Sequence, residues 1–304
     1  QGVAPDEVSA ALAQHELRVK ARAKFGPSAA DMLFTPAGLE QATRTQVAAR
    51  HADRFRSSGC RVVADLGCGV GAESLALQAA GLTPLPIEID PFTAAVAEHN
   101  LRLRDPGASV TVGDAETVPL DGADGAFLDP ARRTAGHRDT KRLSAPGDYA
   151  PSLEFAFELA RRMPVGMKLG PGFDRELIPE QAEAQWVSVG GQLVETGLWF
   201  GPLARPGIRR SALVLSAQGT AHEQVNEDHT AMIAHELNAA DDAPDRETRP
   251  LGEVIYEPDG SVIRARLIGL LAEKLGAGMV GTSIAYLTAD AHVETPFATA
   301  FRII

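Results

Sequence analysis

From residue 62 to residue 169 the chain repeats one pattern: a short apolar run ending in Gly or Asp, then a longer amphipathic stretch. The apolar runs fall at 62–66, 85–89, 110–112, 126–128 and 165–169, and helices are predicted between them at 72–80, 92–103 and 152–162. Strand-length runs without polar alternation, spaced by helices, imply a parallel sheet covered on both faces. Ahead of this region the pattern predicts a helix over 6–23, with Asp6 and Glu7 at its start and Arg18, Lys20 and Arg22 near its end, a placement that suits the helix dipole. A second helix is predicted from Pro36 through Leu39, Ala42 and Val47 to Phe55.

After Asp174 the pattern changes. Strands are predicted at 186–189, 193–200 and 211–215 with no long helices between them, so an antiparallel sheet edge is expected. Residues 217–249 are polar and acidic, and 231–238 reads as a helix. From Leu251 a compact unit begins with a Pro258-Asp259-Gly260 turn, followed by a helix over 261–275, a strand near 284–287 and a last strand near Phe301. The expected organisation is an N-terminal helical segment (1–58) that covers the active site, an α/β domain (59–217), an acidic linker (218–249) and a small α+β unit (250–304).

The strongest local signal is Val63-Ala64-Asp65-Leu66-Gly67-Cys68-Gly69-Val70-Gly71. A strand delivers Asp65 to its carboxyl end, and a glycine-rich turn opens a helix, so that backbone and ligand can touch without Cβ atoms between them. Gly67, Gly69 and Ala72 also satisfy a dinucleotide fingerprint, with Glu88 near its acidic position. A charge at Asp65 and the early placement of Gly71 favour a cationic amino-acid ligand such as S-adenosylmethionine instead. Downstream acids follow in order: Glu88 ends the second strand, where it would accept both ribose hydroxyls, and Asp90 would share that work. Asp114, followed by Ala115, ends the third strand, placed to accept from the adenine amino group.

With these residues the sequence resembles the class I methyltransferases, through Asp65–Gly71, Glu88-Ile89-Asp90-Pro91, Asp114 and Asp129-Pro130. The resemblance covers roughly residues 60–216 and implies a Rossmann-like sheet of seven strands, mostly parallel with one antiparallel. It also implies S-adenosyl-L-methionine as cofactor. The run Glu88-Ile89-Asp90-Pro91, followed by Ala94, Ala97 and Asn100, is similar to members that act on RNA. The whole chain, with Asp129-Pro130-Ala131-Arg132, Tyr256–Gly260, Tyr286-Leu287-Thr288 and Thr295-Pro296-Phe297, is similar to bacterial methyltransferases with a THUMP-like domain, which implies RNA as a partner.

On the acceptor side, relatives that methylate an exocyclic amine carry an acid or amide, two prolines and an aromatic ring after the fourth strand. Here Asp129 and Pro130 match, Ala131 stands for the second proline and Arg132 for the ring. An arginine stacks on a base or clamps an anion. The run Arg132-Arg133, His137-Arg138-Asp139-Thr140-Lys141-Arg142 is a basic loop beside the expected reaction centre, suited to phosphates. Lys168, near the end of the fifth strand, would face the same crevice. Asp129, Arg132 and Lys168 are therefore the candidate catalytic residues, and Arg132, Arg133 and Arg138 the candidate acceptor-binding ones.

The net charge of −11 argues against indiscriminate nucleic-acid binding. Much of it is local, since residues 221–249 hold eight acids and two bases while residues 1–60 hold eight bases and six acids. Two cysteines are too few for a disulfide framework, and eight scattered histidines form no metal-ligand pair, so no metal is expected. No apolar run approaches the roughly 18 residues of a membrane span, and a cytoplasmic location is expected. A pyrimidine-carbon mechanism lacks a thiol at the acceptor side, because Cys60 and Cys68 flank the first strand. The sequence therefore supports an RNA methyltransferase first. Methylation of a small anionic metabolite or a protein, a non-catalytic binding module and a dehydrogenase remain open, and the oligomeric state is not fixed.

Overall fold

The computed structural model describes residues 4–132, 149–217 and 232–304. The chain folds as two compact units that meet in sequence between Met167 and Lys168.

The first unit opens with α1 (Pro5–Phe25), α2 (Pro36–Gln41) and α3 (Thr45–Ser57). The single helix expected from Pro36 to Phe55 is thus two helices, broken at Ala42-Thr43-Arg44. Pro36 at the first helical position and Thr35 accepting from Gly38 N start α2. Strand–helix alternation follows: β1 (Val62–Leu66), α4 (Ala72–Ala79), β2 (Thr83–Glu88), α5 (Pro91–Arg102), β3 (Thr111–Val112) and β4 (Gly125–Leu128). A short antiparallel pair, β5 (Ala131–Arg132) with β6 (Tyr149–Ala150), precedes α6 (Leu153–Ala160) and β7 (Val165–Leu169). The strands lie in the order β3-β2-β1-β4-β7, and each adjacent pair is parallel. Val63, Ala64, Leu66 and Ala126–Leu128 are at most 1% exposed, which is why these strands read as apolar runs, with Asp65 the one charged residue in β1.

The second unit carries β8 (Glu183–Val189), β9 (Gln192–Phe200), β10 (Arg210–Ala217) and β11 (Met232–Ala239). β8 and β9 form a hairpin across Gly190-Gly191, both at positive φ, as a two-residue turn of matching twist requires. β10 pairs parallel with β8 and antiparallel with β11. Among the described residues the first unit contributes five strands to this pattern and the second four, against the seven expected in all. The helix expected at 231–238 is instead the strand β11. Its residues are helix formers taken singly, but eight ladder pairs with β10 outweigh that preference. The pairing also seats Glu236 on Arg205, which binds Glu183 as well.

The carboxyl-terminal residues form a separate four-stranded antiparallel sheet, ordered β13-β14-β12-β15, from β12 (Val254–Pro258), β13 (Gly278–Gly281), β14 (Ile284–Ala289) and β15 (Ala298–Arg302). The helix expected over 261–275 is split into α7 (Gly260–Arg264) and α8 (Ile268–Leu275), with Arg266 at φ 57° between them. Among the described residues no helix is long and apolar enough to cross a membrane.

Candidate active site

The acids at the strand ends converge. Asp65 in β1, Glu88 in β2, Asp114 beyond β3 and Asp129 beyond β4 line one cavity of about 370 Å³, together with Gly67, Gly69 and Ala115. That volume lies in the usual range for a site enclosing a small molecule, roughly 300–1,000 Å³. Glu73 and Glu116 add two more carboxylates, and no Lys, Arg or His is present among the described lining residues.

The turn after β1 is fixed by its glycines. Gly67, Gly69 and Gly71 have φ of 83°, 56° and 88°, a region that side-chain-bearing residues enter only with strain. Gly71 starts α4 and packs on Ala97 of α5, where an added Cβ would lie 3.6 Å from the alanine's Cβ. The turn's N–H groups are largely spent on the protein itself: Gly67 and Cys68 donate to Ile87 O, and Gly71 to Cys68 O. Gly69 N donates to Glu88 Oε2 at 3.0 Å, and Asp90 N to Glu88 Oε1 at 3.1 Å. Both oxygens of Glu88 are thereby aimed while each keeps a further acceptor site.

Asp65 is 2% exposed and accepts a 2.6 Å hydrogen bond from Ser74 Oγ. Burial pushes its pKa up to about 7, the Ser74 bond opposes the rise, and the neighbouring charges of Glu73 and Asp129 add to it. A cation beside Asp65 would relieve all three charges at once. Glu73 also faces His51, whose Nδ1 lies 3.2 Å from its carboxylate oxygens, and the His51 ring stacks on Phe127 of β4. The thiol of Cys68 is pushed well up by burial and by the charges of Asp65 and Glu88, which keeps it an unreactive wall group.

The other sequence candidates are placed differently. Asp90 caps α5, its Oδ2 accepting from Thr93 N at 2.8 Å and Thr93 Oγ1 at 2.6 Å, and it is not among the cavity-lining residues. Asp114 lines the cavity while its Oδ1 accepts from Glu116 N. Lys168 is half-buried in β7 and is likewise not among the lining residues. The backbone of Arg132 pairs with Tyr149 in the short antiparallel pair that brings Ala150 and Pro151 to the cavity. Its side chain, and Arg133 and Arg138 entirely, lie outside the described residues.

One part of the site had no chemical signal in the sequence. Thr35, Ala37, Gly38, Gln41, Ala42 and Thr43 form a wall of the cavity. Gly38 packs so tightly on the glycine turn that an added Cβ would fall 2.5 Å from Val70 Cγ1. Asn100, which the sequence shows only as part of a family-like run, buttresses this junction: it donates to Val70 O and Leu33 O and accepts from Leu33 N. The signal available was the Thr35-Pro36 helix start, which predicts a helix but not what it faces. Among the described residues no cluster of His, Cys, Asp and Glu could hold a metal ion.

No protein-family model matches the chain. It is 32% identical over 283 residues to an uncharacterized S-adenosylmethionine-dependent methyltransferase of Mycobacterium tuberculosis, recorded in strains CDC 1551 / Oshkosh and ATCC 25618 / H37Rv, covering 90% of this chain and 72% of the relative. Its fold is similar to the crystal structure of a protein assigned as a methyltransferase from Porphyromonas gingivalis W83, with a TM-score of 0.72 and 23% identity over 100% of this chain and 76% of that one.

Proposed function

Since the chain belongs to the S-adenosylmethionine-dependent methyltransferases, we propose that it transfers the methyl group to an amino group carried on RNA. The observation that carries this reading is Asp129: the acid of Asp129-Pro130 joins the wall of the cavity that also holds Asp65, Glu88 and Asp114. S-adenosylmethionine supplies an activated methyl on a sulfonium. Asp65 pairs with its ammonium, Glu88 accepts the ribose hydroxyls, and Asp114 with Ala115 receives the adenine edge. Gly67, Gly69 and Gly71 shape the turn on which it rests, and Asp90 acts through the cap of α5.

The acceptor nitrogen needs its lone pair aimed along the methyl–sulfur axis, and Asp129 provides that aim by accepting an amine hydrogen. The transfer is an in-line displacement in which positioning supplies much of the rate. Bound there, S-adenosylmethionine would supply the methyl and leave as S-adenosylhomocysteine, with Asp129 placed to take the amine proton. The side chains of Arg132, Arg133 and Arg138, in a basic run of the sequence, hold phosphates or stack on the base, and the THUMP-like carboxyl-terminal unit engages RNA. A second reading, methylation of a small amine, is favoured by one specific feature, the acid-only set of charged groups among the described lining residues.

Incubation with methyl-labelled cofactor and either total RNA, protein or a small-molecule extract separates these readings. Label in RNA that falls at least a hundredfold with Asp129→Ala, while S-adenosylhomocysteine still binds, is the expected result. Label in the small-molecule fraction alone overturns the RNA proposal.

A further inference from the structure

We infer that the outer face of α1 is an interface on which a second copy of this chain docks, the two helices running antiparallel. α1 carries two apolar faces. Leu17, Ala21 and Phe25 pack with Met32, Phe34, Leu39 and Val70 of the first unit. Gln14, Arg18 and Lys24 lie on the same side and donate to the carbonyls of Phe34, Met32, Leu39, Glu40 and Ala42. On the opposite side Val8, Leu12 and Val19 are 45%, 61% and 56% exposed, and exposed His15 completes the row. At about 100° per residue these four side chains fall within about 60° of one another, so they form one seam along the helix. Apolar residues scattered singly over a surface are ordinary, whereas a seam marks a place where something packs. Valine also favours the helix less than the polar straight-chain residues do, so Val8 and Val19 weaken α1 unless their side chains are buried.

The occupant follows from spacing and charge. The row runs in steps of four, three and four residues, which read the same in both directions. Reversed on itself across a two-fold axis, it sets Val8 on the partner's Val19 and Leu12 on the partner's His15, so all four positions meet at once. Charge selects the same direction. Asp6 and Glu7 occupy the first turn of α1, and Lys20 and Arg22 lie near its end. Antiparallel pairing brings the acidic end of each helix to the basic end of the other and opposes the two helix dipoles. In this register Arg22 lies across from the partner's Pro5 and beside its Glu7. Glu7 Oε2 accepts from Ala4 N, and a carboxylate keeps further acceptor positions for a guanidinium. An anionic membrane surface fits less well, because it would repel Asp6 and Glu7.

The inference rests on neither the cofactor nor the proposed acceptor. One helix of 21 residues, about 30 Å long, makes a small interface, so the association is expected at micromolar concentrations. Its test is sedimentation equilibrium of the full chain from micromolar to submillimolar concentration, where the wild type should form a reversible dimer. Leu12→Glu puts a charge into the seam twice per dimer and raises the dissociation constant about a hundredfold or more, with an unchanged far-ultraviolet circular dichroism spectrum. Glu7→Arg and Arg22→Glu each raise it roughly tenfold, because like charges then meet at both ends of the pair. The double variant, which exchanges the two charges, recovers most of the affinity. A wild type that stays monomeric over this range overturns the inference, whether or not it floats with anionic vesicles. A dimer that Leu12→Glu leaves intact, or a double variant no tighter than either single one, overturns it as well. Should Leu12→Glu alter the helix signal, Leu12→Ala, a good helix former, must still weaken the dimer about tenfold.

Discussion

Replacing Asp65 by Asn should stabilise the ligand-free protein in a pH-dependent way while removing cofactor binding. In the fold the carboxyl keeps its proton until about pH 7, against an ordinary value of 3.8. The folded state therefore binds more protons than the unfolded state between those values, and stability falls as pH rises through that window. At about 1.4 kcal/mol per unit the penalty reaches about 4 kcal/mol at pH 8 but stays under about 2 kcal/mol at pH 5. Asparagine retains an acceptor for Ser74 Oγ and carries no charge, so it escapes the titrating part. Any fixed cost of the substitution cancels when the two pH values are compared. Urea denaturation of both proteins at pH 5 and pH 8, without ligand, should show the variant gaining about 2–3 kcal/mol relative to wild type on going from pH 5 to pH 8. Titration at pH 8 should show S-adenosylhomocysteine binding lost in the variant. In the wild type, affinity should fall about tenfold per unit below pH 7 as the carboxyl takes up its proton. A variant whose stability relative to wild type is the same at both pH values refutes the reasoning, because a buried, titrating Asp65 would then not exist.

The remaining expectations follow from single contacts. Asp90→Ala removes the cap of α5 and should lower the melting temperature while leaving affinity for S-adenosylhomocysteine within twofold; a loss like that of Asp65→Asn would place Asp90 on the ligand. Gly38→Ala would bring a Cβ to 2.5 Å from Val70 Cγ1 and 2.7 Å from Thr35 Oγ1, so it should weaken S-adenosylhomocysteine at least tenfold in calorimetry with a smaller change in far-ultraviolet circular dichroism. Arg205→Leu removes the guanidinium that pairs with the fully buried side chain of Glu183 and should cost about 3 kcal/mol in urea denaturation, the low end for a broken buried pair because Arg205 itself is a third exposed. Ligand affinity at 20 °C should be unchanged in that variant, since Glu183, Arg205 and Glu236 do not line the cavity.

The first unit was legible where burial leaves a one-dimensional trace. Apart from Asp65, β1 and β4 are made of apolar residues and glycine because both their faces are covered, and at the end of each an acid reaches the cavity. The parallel sheet and the glycine turn follow from that rhythm, so Asp65, Glu88, Asp114 and Asp129 stand out in the sequence itself. β11 was not legible in the same way. Met232–Ala239 has helix-forming residues and a single buried side chain, Leu237, and what makes it a strand is a ladder to β10, residues that local propensity does not see.

The cavity wall shows a stricter limit. Residues 35–43 are held by backbone acceptors, and a carbonyl looks the same in every sequence. The information sits in the donors, Lys24, Gln14, Arg18 and Asn100, each of which reads as an ordinary surface or helix residue until the partner carbonyl is known. Lys24 lies in the last turn of α1, where a cation suits that helix's own dipole, yet its ammonium closes the carboxyl end of α2 instead. Acids at strand ends therefore stood out in the sequence, and they line one cavity. The wall they face came from the segment expected over the active site, but which of its residues line the cavity only the tertiary structure could give.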